Sequence, residues 1–468
     1  MESRIPPEVR DALSAGMGFT LLVKGEPGTG KTMLAFEILN EFAGNNAVYL
    51  STRVSPPSLH AQFPWLEDRM GAFNVIDATK LFISSRAFPR PRSFSEVLHR
   101  ELLETQPEKP AILVLDSWEA LTSEEKEEKV EALEATIIDA IRHYATEYKM
   151  NMILISERTE TTPLDYIVDG IVELSRITVD YRRAREILLK KLRGVRISQY
   201  KYGFTLDGGR FRTFGPFERR KVEKPRKVKV IPSPPSYIST GVKELDLILG
   251  GGLNTGSTAL VQYGDDLSLL GYQSIIAHMI INCIQQGTHV VKIPSSGWDE
   301  RRLRRGILPF VDEQDYLKYL TVFEIRRSEK AREVRENVKV LEGRTLEEEF
   351  PVFAEYIARL EPPVMVIIGT DWLEYQYRLK ALGNLEEALE IFAYWITEVR
   401  EREDIGVFST PTGCLLGEGL SHMVSTRFNL AVLNRSVLLY CNRPDTKLHC
   451  LENIITEEAL KLELTPFV

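Results

Sequence analysis

Short apolar runs alternate with longer amphipathic stretches through the first third of the chain. Residues 19–23, 47–51, 81–85, 111–115 and 151–155 are rich in apolar side chains and are predicted strands. The stretch 124–147 has a different period. Val130, Leu133, Ile137, Ile138 and Ile141 fall on one stripe of a helix, and Thr122 and Glu125 are spaced as a capping box. Strands separated by helices need crossover connections. The pattern therefore predicts an α/β fold, a mainly parallel central sheet flanked by helices.

Past residue 170 the helical period fades. Residues 170–174, 185–193 and 210–214 read as strands joined by turns, with Asp207-Gly208-Gly209 as a hairpin turn. The first domain is expected to span 1–217. Residues 218–235 hold seven Lys or Arg, two Glu and four Pro, and read as a basic, proline-rich linker. A second domain over 236–468 resumes the apolar runs, at 258–262, from Pro363 toward Asp371, and from Val437 to Cys441.

Between the first predicted strand and the helix after it stands Gly25-Glu26-Pro27-Gly28-Thr29-Gly30-Lys31-Thr32. This is a complete phosphate-binding loop, G-x-x-x-x-G-K-[ST], in its strand–loop–helix context. Glycines let several backbone N–H groups point at one phosphate, and the helix N-terminus adds partial positive charge. Lys31 is expected to reach the β- and γ-phosphates, and the Thr32 hydroxyl to ligate magnesium, so ATP and Mg2+ are the expected cofactors. The run 111–115 ends in Asp116, the second expected magnesium ligand. In the second domain the corresponding place reads Gly264-Asp265-Asp266-Leu267-Ser268-Leu269-Leu270. It lacks the lysine and the later glycine, and its carboxylates would repel phosphate. The chain thus reads as a tandem repeat of one domain type, the second copy degenerate.

At 468 residues, two domains are expected. The net charge of −8 gives no global attraction to nucleic acid. The arginines at 301–305 and 326–335 are mixed with acids and read as solvated helix faces. Cys283, Cys414, Cys441 and Cys450 form no C-x-x-C pair, which fits reduced structural thiols in a cytoplasmic protein. No run of 18 apolar residues predicts a membrane span, and the histidines lack metal-ligand spacing.

Ser239-Thr240-Gly241, Leu245-Asp246 and Gly250-Gly251-Gly252-Leu253 resemble the opening motif of KaiC-type domains of the RecA superfamily. Residues 164–174, Lys191-Leu192-Arg193-Gly194 and Phe204-Thr205-Leu206 resemble the late part of the same domain. The first domain starts close to its phosphate loop and the second is degenerate. That combination is similar to the archaeal GvpD-like gas vesicle proteins and their KaiC-like relatives, and the resemblance covers most of the chain.

The resemblance implies two tandem RecA-like P-loop domains and a regulatory ATPase. It also implies a homo-oligomer, with hexamers in the family, and a regulatory protein partner. Lys191 and Arg193 would contact the nucleotide of a neighbouring subunit, stabilising transition-state charge. Where the family carries acids after its second strand, this chain has Arg53 and Val54. Glu26, Glu119 and Glu157 are the candidates to replace them as base, and slow hydrolysis is expected. Two alternatives stand beside this reading: a nucleotide sensor or transcriptional regulator without significant hydrolysis, and a DNA-dependent RecA-type ATPase, which the acidic charge disfavours.

Overall fold

The computed structural model describes residues 4–15, 18–42, 47–65, 74–77, 112–119, 143, 145–147, 149–217, 222–264, 267, 269–326, 335–455 and 460–468. They form two compact units, Met1–Gly215 with Phe467–Val468, and Pro216–Pro466.

The strands of the first unit are β1 (Thr20–Lys24), β2 (Ala47–Ser51), β3 (Asn74–Asp77), β4 (Ile112–Asp116), β5 (Asn151–Ser156), β6 (Gly170–Val179), β7 (Arg182–Leu192), β8 (Lys201–Thr205) and β9 (Arg212–Thr213). They lie side by side in the order β3-β2-β4-β5-β1-β6-β7-β8-β9. Pairing is parallel from β3 to β6 and antiparallel from β6 onward. Every residue of β1, β2 and β5 is buried, which explains their near-continuous apolar sequence. Leu21 and Val23 pack with Leu34, Phe36 and Ile38 of α2 (Lys31–Phe42); Leu22 packs on the other face with Leu113, Leu115 and Trp118. The β6–β7 hairpin turns on Asp180 and Tyr181, with φ of 44° and 62°. Two consecutive left-handed residues match the twist of the flanking strands.

The predicted strands at 47–51, 111–115 and 151–155 appear within a residue of their expected ends. β3 and β8 were not legible as strands. The expected strand at 81–85 and most of the 124–147 helix lie outside the described residues; 143 and 145–147 are helical.

In the second unit, β10 (Tyr237–Ile238) pairs with β11 (Leu253–Asn254). The main sheet is built from β12 (Ser257–Tyr263), β13 (Val290–Ile293), β14 (Leu320–Ile325), β15 (Val338–Leu341), β16 (Met365–Gly369), β17 (Ile405–Pro411), β18 (Thr426–Leu433), β19 (Ser436–Arg443), β20 (His449–Ile455) and β21 (Leu460–Pro466). Its order is β15-β14-β13-β16-β17-β12-β18-β19-β20-β21. Strand for strand, β14, β13, β16, β17, β12, β18, β19 and β20 repeat β3, β2, β4, β5, β1, β6, β7 and β8. The two sheets are tandem RecA-like domains. Even the hairpin device recurs, with Asn434 and Arg435 at φ 50° and 71° between β18 and β19.

The proline-rich segment lies along this second unit. Val222 and Val228 pack on its core, and Asn282 bonds both Ile231 N and Ile231 O, at 2.9 and 3.0 Å. The Ser-Thr-Gly motif has a folding role here. Buried Asp246 accepts from Ser239 Oγ at 2.5 Å, and from Thr240 N and Thr240 Oγ1, both at 2.7 Å. One carboxylate thereby fixes the strand β10 relative to the helix Lys243–Ile248. All four cysteines are buried and none is in a disulfide. Among the described residues no helix is long and apolar enough to cross a membrane.

Candidate nucleotide site

The first-unit loop begins where β1 ends. Lys24, fully buried, donates to both carboxylate oxygens of Asp165 at 2.9 and 3.0 Å and to Glu160 O at 2.6 Å. This fixes the strand end from which the loop springs. Gly25 then takes φ 150° and Gly28 φ 74°. A Cβ on Gly25 would stand 2.5 Å from the backbone oxygen of Leu174, which excludes a side chain there, while at Gly28 the left-handed backbone is what disfavours one.

α2 opens on Lys31, whose Nζ donates to Gly25 O at 2.7 Å and Glu26 O at 2.9 Å. Burial lowers its pKa, opposed by the negative charges of Glu157, Asp116 and Glu119, while Arg53 adds to the lowering. Those four groups therefore share one electrostatic site with the lysine. Thr32 Oγ1 donates to Asp116 Oδ2 at 2.7 Å, and Tyr49 OH donates to the same oxygen at 2.5 Å. Burial, together with the Asp116 charge, holds the Tyr49 phenol well above its usual pKa, so it remains a donor.

Two further arginines brace the loop from behind. Arg176 and Arg185 are partners across β6 and β7. Arg176 donates to Pro27 O at 2.6 Å, and Arg185 donates to Gly28 O and Thr29 O at 3.1 and 3.2 Å. Binding carbonyls on that side leaves loop N–H groups for a ligand. The sequence reading missed Tyr49, Arg176 and Arg185. The arginine-rich β7 was visible, but only the hairpin register shows which loop it serves.

Two of the three candidate bases are engaged. Glu119 accepts from Ser156 Oγ at 2.5 Å, and Glu157 accepts from Arg53 at 2.6 Å. Glu26 is exposed on the loop. Lys191 and Arg193 contact other groups. Lys191 Nζ donates to Asp165 O and Val168 O, at 3.0 and 2.6 Å, closing the C-terminal end of the helix Pro163–Ile167. Arg193 is half-exposed, 3.4 Å from Asp169.

The donor set fits a magnesium-bound triphosphate. A hydroxyl and a carboxylate are hard oxygen ligands, they stand within 2.7 Å of each other, and they adjoin a lysine and a glycine-curled loop. The second unit differs at the same edge. Tyr263 and Tyr272 stack with centroids 3.9 Å apart, and Ser295 and Ser409 hydroxyls pair at 2.9 Å. Counting the ladders out from the glycine after each first strand, Thr370 stands where Asp116 stands. Residues 265, 266 and 268 lie outside the described set.

Residues 10–193 match the family described as GvpD gas vesicle protein, P-loop domain. Protein GvpD2 of Halobacterium salinarum is 26% identical, over 95% of this chain and 93% of that protein. Protein GvpD1 of the same organism is 28% identical over 68% of this chain and 61% of its own length. The circadian clock oscillator protein KaiC of Nostoc sp. is 27% identical over 52% of this chain and 48% of its own. With the repeated sheet order and the intact loop, these similarities support a KaiC- and GvpD-like P-loop protein of the RecA superfamily, with the GvpD-type P-loop domain at residues 10–193.

Proposed function

We propose that the first domain binds Mg-ATP and acts as a slow regulatory ATPase in the cytoplasm, its nucleotide state and self-assembly controlling a protein partner. The observation that carries this reading is the Thr32–Asp116 contact of 2.7 Å beside Lys31, two ligand types aimed at one point from positions far apart in sequence. In this reading Lys31 and the loop N–H groups hold the β- and γ-phosphates, and Thr32 and Asp116 hold the metal. Magnesium would neutralise charge on the phosphate oxygens. Glu119 or Glu157 would orient the attacking water. Half-exposed Arg193, with Lys191 beside it, would serve the site of a neighbouring copy, so that turnover depends on assembly.

The test is a titration of fluorescent ATP, with and without magnesium, into wild type and Lys31→Ala, followed by phosphate release across a protein concentration series. Lys31→Ala should lose ATP affinity by about 100-fold or more. Wild type should turn over faster per subunit at higher concentration, and Arg193→Ala should lose that gain. ATP binding by Lys31→Ala equal to wild type would end the reading.

A second reading, a nucleotide-gated switch without significant hydrolysis, is favoured by the Arg53–Glu157 pair, because it occupies a candidate base. Magnesium-dependent ATP binding with no phosphate release at any concentration would select it.

A further inference from the structure

We propose that Arg53 senses the γ-phosphate within its own domain, leaving Glu157 for the terminal phosphate when ATP rather than ADP is bound. The proposal rests on the Mg-ATP reading and deepens it.

The first observation is placement. β2 and β5 flank β4 in the sheet. Arg53 follows β2 and Glu157 follows β5, so their 2.6 Å ion pair crosses the end of β4, the strand that delivers Asp116. The pair spans the place where the metal ligand emerges.

The second observation is that the backbone under Arg53 is fixed while its side chain is not. Thr52 N and Thr52 Oγ1 donate to Asp116 O at 2.8 and 2.9 Å, and Ser117 N donates back to Thr52 Oγ1 at 2.8 Å. Ser51 Oγ donates to Val54 O at 2.5 Å. Arg53 is thus pinned on both sides, to the peptide of the magnesium acid. The Arg53 side chain is 44% exposed and the Glu157 side chain 30% exposed. A pair so open to water gains little from staying together.

The third observation is charge. Lys31 feels both Arg53 and Glu157. A γ-phosphate beside Lys31 would bring negative charge and several acceptor oxygens to that spot. A guanidinium fork matches phosphate geometry and holds it more strongly than it holds one partly hydrated carboxylate. ADP offers no such group, so with ADP the guanidinium would keep Glu157. The exchange would free the Glu157 carboxylate only in the ATP state, when a water-orienting base is of use. A cation at this position replaces the family's acids with a reader of nucleotide state that needs no neighbouring subunit.

The experiment is equilibrium binding of a non-hydrolysable ATP analogue and of ADP, both with magnesium. The proteins are wild type, Lys31→Ala, Arg53→Ala, Arg53→Lys, Glu157→Gln and the double variant Arg53→Ala with Glu157→Gln, each checked by thermal melting. Arg53→Ala should weaken the triphosphate analogue about tenfold and leave ADP within about twofold. Arg53→Lys, which keeps the charge without the fork, should fall between wild type and Arg53→Ala, and it carries the test should Arg53→Ala fail to fold. Glu157→Gln should tighten the triphosphate when Arg53 is present and much less when Arg53 is also Ala. Equal losses for ADP and the analogue, or no loss for the analogue, would overturn the sensor. Should wild type bind neither nucleotide, or Lys31→Ala bind both normally, the Mg-ATP reading itself falls and the sensor with it. Normal wild-type binding lost in Lys31→Ala, with an unchanged ATP-to-ADP ratio in Arg53→Ala, overturns the sensor alone.

Discussion

At the C-terminal edge of the first sheet, the ends of β1, β2, β4 and β5 lead to Lys31, Arg53, Asp116 and Glu157. At the corresponding edge of the second, β12, β13, β16 and β17 lead to the Tyr263–Tyr272 stack, Ser295, Thr370 and Ser409. One strand order supports an edge built of charges around a lysine and an edge of rings and hydroxyls in which Asp371 accepts from Ser296 N at 2.9 Å. The fold sets where a ligand site can lie; the side chains at the strand ends decide whether there is one. The second edge also retains a cost. Lys292 on β13 is fully buried, and among the described residues its Nζ has no hydrogen-bond partner. Burial, eased by the Asp371 charge, pushes its pKa down to about 7.

The sharpest break of this comparison is Asp116→Ala. It removes the proposed magnesium ligand and leaves Thr32 and Tyr49 without their shared acceptor, so magnesium-dependent ATP affinity should fall by about 100-fold in a magnesium titration. Thr370→Asp should give the second domain no nucleotide binding, because a carboxylate without the loop and lysine does not hold phosphate.

Asp246→Ala acts on the second unit only. It strands three donors, from Ser239 and Thr240, and should cost about 2–4 kcal/mol in urea unfolding while ATP binding by the first domain is unchanged.

Lys292→Met should stabilise the second unit by about 1–3 kcal/mol at neutral pH, since a buried amine with no hydrogen-bond partner among the described residues is replaced by an apolar chain of similar length. The sign of its pH dependence follows from the lowered pKa. Between about 7 and the usual lysine value, the unfolded chain holds a proton that the folded one does not. Stability of wild type should therefore rise with pH across that window, and its Lys292 penalty should be greatest below it. Lys292→Met should show a shallower rise; an unchanged slope would assign the dependence to other groups.

The smallest effect is expected at Arg176→Ala. It loosens the loop from behind and should weaken ATP and ADP alike by about three- to tenfold. That equal loss distinguishes a brace from the ATP-selective loss predicted for Arg53.

What was legible in the sequence was local. The phosphate loop is eight consecutive residues, and β2 and β4 are uninterrupted apolar runs ending at Ser51 and Asp116. The resemblance carried the domain repeat, because its motifs are also contiguous. Tyr49 was hidden, since it looks like any aromatic in a buried strand until the β2–β4 pairing brings it to Asp116. Arg176 and Arg185 were hidden for a related reason: a hairpin fold-back sets them side by side, and no local period announces it. Arg53 was read as a missing acid. Its pairing with Glu157, 104 residues on, is a property of the sheet order.

Asp165 holds two lysines at once, its carboxylate clamping Lys24 and its backbone carbonyl receiving Lys191. Lys24 is the residue immediately before the phosphate loop. A displacement of Lys191 would therefore be felt at the same residue that anchors the loop's foot. The short helix Pro163–Ile167 thus works as a bell-crank, with one arm on the end of β7 and the other at the foot of the loop.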